Sequence, residues 1–204
     1  MIRIGAGILL PVLVRKTVER ELSGLEFTSH IPGTLGGAIM NNASFGTESI
    51  ADIIRMISII DFKGRSVKLD RNQFSFFYRG ININIEKYII LEVYLDLVRS
   101  NKDRIIAKIK RLYHEREDRQ PVRQLTAGCI FKNPRGIPAG YLIEKSGAKG
   151  LTIGDAQISE KHANFIINRG QATSNDILRI MEEVQKRVEK KFGIVLEREI
   201  NIIG

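Results

Sequence analysis

Gln157-Ile-Ser-Glu-Lys-His-Ala-Asn-Phe-Ile-Ile-Asn168, followed closely by Thr173-Ser-Asn-Asp176, is the stretch on which the reading of the fold turns. Its apolar centre, Asn164-Phe-Ile-Ile-Asn168, reads as a strand. Thr173–Asp176 supplies short polar side chains of the kind that accept hydrogen bonds from the first amides of a helix. Beyond them Ile177, Met181, Val184, Val188 and Phe192 fall on one face, so the spacing predicts a helix to about Phe192, ended by Gly193. Upstream, Ala139 to Lys145 reads as a short helix closed by Gly147. Downstream, Leu196-Glu-Arg-Glu-Ile-Asn-Ile-Ile203 reads as a final strand. Alternation puts Leu196, Ile200 and Ile202 on one face and Glu197, Glu199 and Asn201 on the other. The second half of the chain is therefore α/β.

The first half carries different signals. Residues 9–22 read as a helix with Pro11 in its first turn, where the missing N–H costs nothing. Ile31-Pro-Gly-Thr-Leu-Gly-Gly-Ala-Ile-Met-Asn-Asn-Ala43 is too irregular for a helix and too apolar for a solvated loop. Residues 53–60 and Ser66–Leu69 read as a hairpin around Asp61-Phe-Lys-Gly64, and residues 88–97 as a further strand with Glu92, Tyr94 and Asp96 on one face. A charged amphipathic helix spans 103–117. Arg119-Gln-Pro-Val-Arg-Gln124 is the candidate domain junction. The expected division is 1–118, 119–195, and a C-terminal strand over 196–204.

Bulk properties exclude several classes. At 204 residues, 43% hydrophobic and 27% charged, the composition is that of a globular protein. No apolar run approaches a membrane span, and the opening Met1-Ile-Arg-Ile-Gly-Ala-Gly7 is not a signal peptide, so a soluble cytoplasmic protein is expected. One cysteine, Cys129, excludes a disulfide framework and any multi-cysteine metal site, and the histidines lack metal spacing, so no metal is expected. The net charge of +9 reads either as a lysine-rich solvated surface or as a preference for anionic ligands. The cations are dispersed along the chain, which disfavours nucleic acid and leaves small polyanions compatible.

Five segments could carry chemistry, and each has a bland alternative. Gly33-Thr-Leu-Gly-Gly37 would let backbone amides approach an anion, or is a tight turn; it matches neither nucleotide fingerprint. Tyr78-Arg79-Gly80, after Phe74-Ser-Phe-Phe, is a carboxylate or phosphate clamp, or an arginine covering phenyl rings. Cys129 sits in Ala127-Gly-Cys-Ile-Phe-Lys-Asn-Pro134, a polar and cationic setting that could activate a thiol, or is a small hydrophobe. His162 lies in a polar run that could be a surface turn, and Glu199 could be a solvated carboxylate.

In order and at these spacings the segments form a specific pattern. Gly24-Leu-Glu-Phe27, Ile31-Pro-Gly-Thr-Leu-Gly-Gly-Ala38 with Met40-Asn41, and Tyr78-Arg79 resemble part of the FAD domain of the UDP-N-acetylenolpyruvoylglucosamine reductase (MurB) family. Ala127–Pro134, Ala139-Gly140 with Leu142-Ile-Glu144, Lys149-Gly150, Gln157–Asn168, and Phe192-Gly-Ile-Val-Leu196 with Glu199 resemble its substrate domain and C-terminus. The short spacing from Asn133 to Ala139 resembles the compact branch, without the extra loop of the longer one.

The resemblance implies an α+β protein: the C-terminal part of a two-lobed FAD-binding domain (PCMH/VAO-like), then an α/β substrate-binding domain. It implies NADPH-dependent, FAD-mediated reduction of UDP-N-acetylglucosamine enolpyruvate to UDP-N-acetylmuramate for the peptidoglycan cell wall. It places Arg79 against the substrate carboxylate, Cys129 as proton donor where the family usually has serine, and Glu199, best protonated, beside the developing enolate. It places Gly33, Thr34, Gly36 and Gly37 at the flavin, and Lys132, Asn133 and His162 at the substrate. Two departures accompany it. The family's N-terminal lobe, with its Gly-Ser-Asn loop, is expected to be absent, and Asn201 stands where an arginine is common. The alternative is a catalytically impaired member that only binds the UDP-sugar.

Overall fold

The longest strands of the chain pair into one antiparallel sheet. In the computed structural model, which describes residues 1–84 and 86–203, the first strand β1 (Ile2–Gly5) lies at one edge. Next to it are β4 (Tyr88–Leu95), β2 (Ile54–Asp61) and β3 (Ser66–Asp70). Ile4 and Ile57 both stand opposite Val93, which together with Leu95 and Ile57 is completely buried. Helix α1 (Leu10–Glu19) keeps Pro11 in its first turn and buries Leu10, Leu13, Val14 and Thr17. It stops three residues short of the expected end, because Glu21 turns the chain at φ 55° and Leu22–Ser23 pairs with Val98–Arg99.

The glycine-rich stretch contains a helix after all. Thr34 caps α2 (Leu35–Met40), its hydroxyl accepting from the Gly37 amide at 3.2 Å. Burial of Leu35, Ala38 and Ile39 overrides the poor helix propensity of the two glycines. Helix α3 (Lys102–Arg119) runs two residues past the expected end.

The chain folds as two compact units that meet inside α3, Met1–His114 and the part from Glu115 onward. The sequence change is gradual there, since Ile109 and Leu112 serve the first core while Glu117 pairs with Arg123 in the second unit.

In the second unit α4 (Ala139–Lys145) and α5 (Ser174–Phe192) pack against each other. A small antiparallel sheet of β5 (Thr152–Ile153), β6 (Ala156–Ile158) and β7 (Ile166–Asn168) completes the unit, and α5 crosses its first two strands. Helix α5 has the expected cap. Thr173 and Asp176 exchange hydrogen bonds in a capping box, and Gly193 closes the helix at φ 65°. Ile180, Met181, Val184 and Val188 are fully buried. The final strand expected over 196–203 is not formed as such. Its pairing reduces to a single bridge, Arg198 opposite Phe131, and residues 201–203 are exposed.

A partly buried charge cluster ties Lys108 of α3 to Glu26 and Glu48 of the first unit. The Lys108 ammonium lies 2.6 Å from Glu48 and 3.4 Å from Glu26, whose side chain is 1% exposed. Burial pushes the Glu26 carboxyl up, but hydrogen bonds from Ser23 and from the Glu26 and Gly24 amides, with the charge of Lys108, bring it below the ordinary range. Lys108→Met would leave that carboxylate buried without its cation, and is expected to cost about 3 kcal/mol, more than any exposed ion pair contributes. Thermal melting of the variant checks this. The stability from Glu26 is present above pH about 4.5 and is lost as pH falls through its depressed folded value. The acid limb of the melting curve should therefore be shallower in the Lys108→Met, Glu26→Gln double variant than in the parent.

Candidate functional site

The first unit lays two glycine-bearing segments side by side. The Leu10 amide donates to Gly33 O at 2.9 Å, Leu35 N–H to Ile8 O at 2.9 Å, and Gly36 N–H to Ala6 O at 2.8 Å. The amides of Leu35, Gly36 and Gly37 are therefore engaged within the protein and do not converge on an anion, one of the two readings that the glycines left open. What the loop offers is a bare backbone face. A Cβ added at Gly5, Gly7 or Gly33 would meet nothing within 4 Å, and Gly33 holds φ 123°. Gly36 is different: a Cβ there would stand 3.3 Å from Ala6 Cβ and O, so its small size lets the two segments close.

Arg79 occupies a strained position. Phe76–Phe77 pairs with Gly80–Ile81, leaving Tyr78 and Arg79 as a two-residue turn. Arg79 adopts φ 59°, where glycine or asparagine is preferred. A Cβ at Gly80 would lie 2.2 Å from the Phe77 ring, so the exposed ring would have to swing aside. The half-buried Arg79 guanidinium stacks over Tyr78 with 5.4 Å to the ring centroid, and its Nη1 reaches Ser44 Oγ at 3.5 Å. An arginine kept where its backbone is strained points to a use for its side chain.

In the second unit the segment 129–132 runs between two neighbours. On one side Cys129 bridges Phe165, and the Ile130 amide donates to Asn164 O at 3.0 Å. On the other, Phe131 bridges Arg198, Glu199 N–H donates to Ile130 O at 2.7 Å, and Lys132 N–H donates to Glu197 O at 2.8 Å. This places Glu199, distant in sequence, opposite Ile130, the chain neighbour of Cys129, while Cys129 itself pairs with Phe165 on the other side. Cys129 and Glu199 are both half-buried. Lys132, read from the sequence as a ligand-side cation, forms an ion pair with Glu197. Asn133 Oδ1 accepts from the Ala139 amide at 2.8 Å and so anchors the approach to α4. A cleft of about 330 Å³ opens along Thr126, Gly128, Ile130, Ile166 and Ile200, beside Cys129 in the chain.

His162 stacks edge-on against Phe165 with ring centroids 4.9 Å apart. Its Nδ1 accepts from the Asn164 amide at 3.2 Å, which makes Nε2 the protonated nitrogen of the neutral ring. Burial, assisted by the charge of Lys149, holds its pKa below the ordinary value, against an opposing backbone hydrogen bond. A depressed histidine gives stability that is present above pH about 6.5 and declines as pH falls through the folded value. Proton NMR of the His162 ring should show a midpoint below 6.5, and His162→Gln should flatten the acid slope of the melting temperature.

The sequence offered Asn164 only as the start of an expected strand within the stretch 157–168, and only the pairing of segments reveals its hydrogen bonds. Among the described residues no group of three His, Cys, Asp or Glu side chains could hold a metal ion, and no helix is long and apolar enough to cross a membrane.

Residues 120–203 match the family model for the C-terminal domain of UDP-N-acetylenolpyruvoylglucosamine reductase, and residues 1–70 match an FAD binding domain. The reductase of Caldanaerobacter subterraneus subsp. tengcongensis is 40% identical over 199 residues, covering 98% of this chain and 66% of that protein. The reductase of Clostridioides difficile is 41% identical over 200 residues, with the same coverage of 98% and 66%. The crystal structure of the enzyme from Thermus caldophilus superposes with a TM-score of 0.86 at 35% identity, covering 99% of this chain and 72% of that one. The chain thus spans 66% of the length of these two curated relatives.

Proposed function

The chain belongs to the UDP-N-acetylenolpyruvoylglucosamine reductase family, and from that premise we propose that it reduces UDP-N-acetylglucosamine enolpyruvate to UDP-N-acetylmuramate, using FAD and NADPH. The reaction belongs to peptidoglycan synthesis in the cytoplasm. The observation that carries this reading is the ladder in which Glu199 pairs with Ile130, next to Cys129, within the segment matched by the family's C-terminal domain.

The bare backbone at Gly5, Gly7 and Gly33 fits a flat nucleotide cofactor, since side chains there would fill the space it needs. When bound, FAD supplies hydride transfer from NADPH to the enolpyruvyl double bond. Gly33, Thr34 and Gly37 are assigned to its contact face, and Gly36 to holding that face together. The remaining steps fall to side chains. Arg79 pairs with the substrate carboxylate and stabilises the charge that develops on it. The Cys129 thiol gives its proton to the carbon left carbanionic, and Glu199, in its neutral form, donates a hydrogen bond to the enolate. Lys132, exchanging Glu197 for a phosphate, joins Asn133 and His162 in holding the UDP-sugar. His162 would do so as a neutral Nε2–H donor.

The test is NADPH oxidation dependent on both FAD and the enolpyruvyl UDP-sugar, with calorimetric titration of the UDP-sugar in parallel. Flavin-dependent turnover supports the reductase reading. Binding of the UDP-sugar without flavin binding or turnover would overturn it in favour of a binding-only protein.

A further inference from the structure

Asn164 is 2% exposed, and each of its four polar atoms has a partner in the second unit. Its carbonyl accepts from the Ile130 amide at 3.0 Å. Its Oδ1 accepts from the Phe131 amide at 3.0 Å, and its Nδ2 donates to the Phe131 carbonyl at 2.8 Å. Its own amide donates to His162 Nδ1 at 3.2 Å.

The arrangement follows from where the neighbouring chain turns. Phe165 still lies opposite Cys129, but the chain before it folds back, with the Phe165 amide donating to His162 O at 3.0 Å and His162 N–H to Ser159 Oγ at 3.3 Å. The backbone ladder therefore ends at Asn164, one rung before Phe131. Phe131 is completely buried, so water cannot satisfy its peptide groups. A carboxamide carries the same donor and acceptor as a peptide unit, and the Asn164 side chain supplies the missing rung.

We propose that Asn164 is a positioning residue for the proposed reduction: its side chain extends the ladder past Phe131 and thereby fixes Cys129 on one side and Lys132 on the other. This rests on the assignment of Cys129 and Lys132 to the reaction. The backbone amide of the same residue separately orients His162, so one side-chain replacement should disturb the first function and spare the second. Aspartate cannot substitute. It keeps an acceptor for the Phe131 amide but, when ionised, sets an oxygen against the Phe131 carbonyl.

Cys129 is the chain's single cysteine, so its alkylation by iodoacetamide reports on the segment directly, in the full chain and without turnover. In Asn164→Ala the alkylation rate, followed from neutral to alkaline pH, should rise about tenfold, which corresponds to about 1.4 kcal/mol of easier local opening. Asn164→Asp should also react faster than the parent. The NMR midpoint of His162 should stay in place in Asn164→Ala, which adds no charge beside the ring. Val184→Ala, a cavity in the same core, should lower the melting temperature and leave the alkylation rate near that of the parent. Parental reactivity in both Asn164 variants, or equal acceleration in Val184→Ala, would overturn the proposal. If Asn164→Ala does not fold, Asn164→Asp decides. Because alkylation needs no catalysis, a finding that Cys129 is not the proton donor would leave this result standing and fail the functional reading alone.

Discussion

In a complete or reconstituted enzyme carrying out the proposed reduction, Cys129→Ala is expected to lower turnover by about 10²–10⁴-fold, the usual cost of removing a positioned general acid. The fall should appear in the protonation step. Reduction of bound flavin by NADPH should proceed nearly as in the parent, because no proton from the thiol is needed there. Cys129→Ser should recover part of the rate, since a hydroxyl at the same place can still donate, only as a weaker acid. The structure sharpens the expectation. Cys129 bridges Phe165, and Glu199 is held by a 2.7 Å hydrogen bond to Ile130. An alanine at 129 preserves that backbone pairing and removes only the thiol. Stopped-flow flavin absorbance with steady-state NADPH oxidation separates the steps. Equal turnover in Cys129→Ala and the parent would remove the thiol from the mechanism.

Arg79→Gly should separate stability from activity. The residue sits at φ 59° in a two-residue turn, where a non-glycine side chain is strained by about 1 kcal/mol or more. Glycine relieves that strain but enlarges the conformational freedom of the unfolded chain, and it gives up the stacking of the guanidinium on Tyr78. These contributions oppose one another, so the melting temperature of the first unit should change little. Turnover should fall by about 10²–10³-fold if the guanidinium stabilises charge that develops on the substrate carboxylate. Arg79→Lys should recover little, because an ammonium cannot pair two parallel donors with a carboxylate. A large drop in melting temperature with modest loss of rate would instead mark Arg79 as a structural cover for Tyr78.

The local signals of the sequence held wherever short-range physics decides. The capping box of Thr173 and Asp176, the apolar face of α5 and the closure at Gly193 could all be read because caps and helical periods are set within a few residues. The hairpin from Ile54 to Asp70 was legible for the same reason. Family membership was legible because whole segments recur in order. The sequence misled where burial overrides propensity, as in α2, and where a strand needs a partner to exist, as at residues 196–203.

Which residues meet was decided by the tertiary structure alone. Lys132 pairs with Glu197 from 65 residues away, and Phe131 with the side chain of Asn164 from 33 away. The loop amides of Leu35 and Gly36 are satisfied by Ile8 and Ala6. Composition and periodicity identify which groups must be buried or hydrogen-bonded. They do not say with what, because a buried donor gains nearly the same energy from any acceptor of good geometry. Only the folded path of the chain selects the partner.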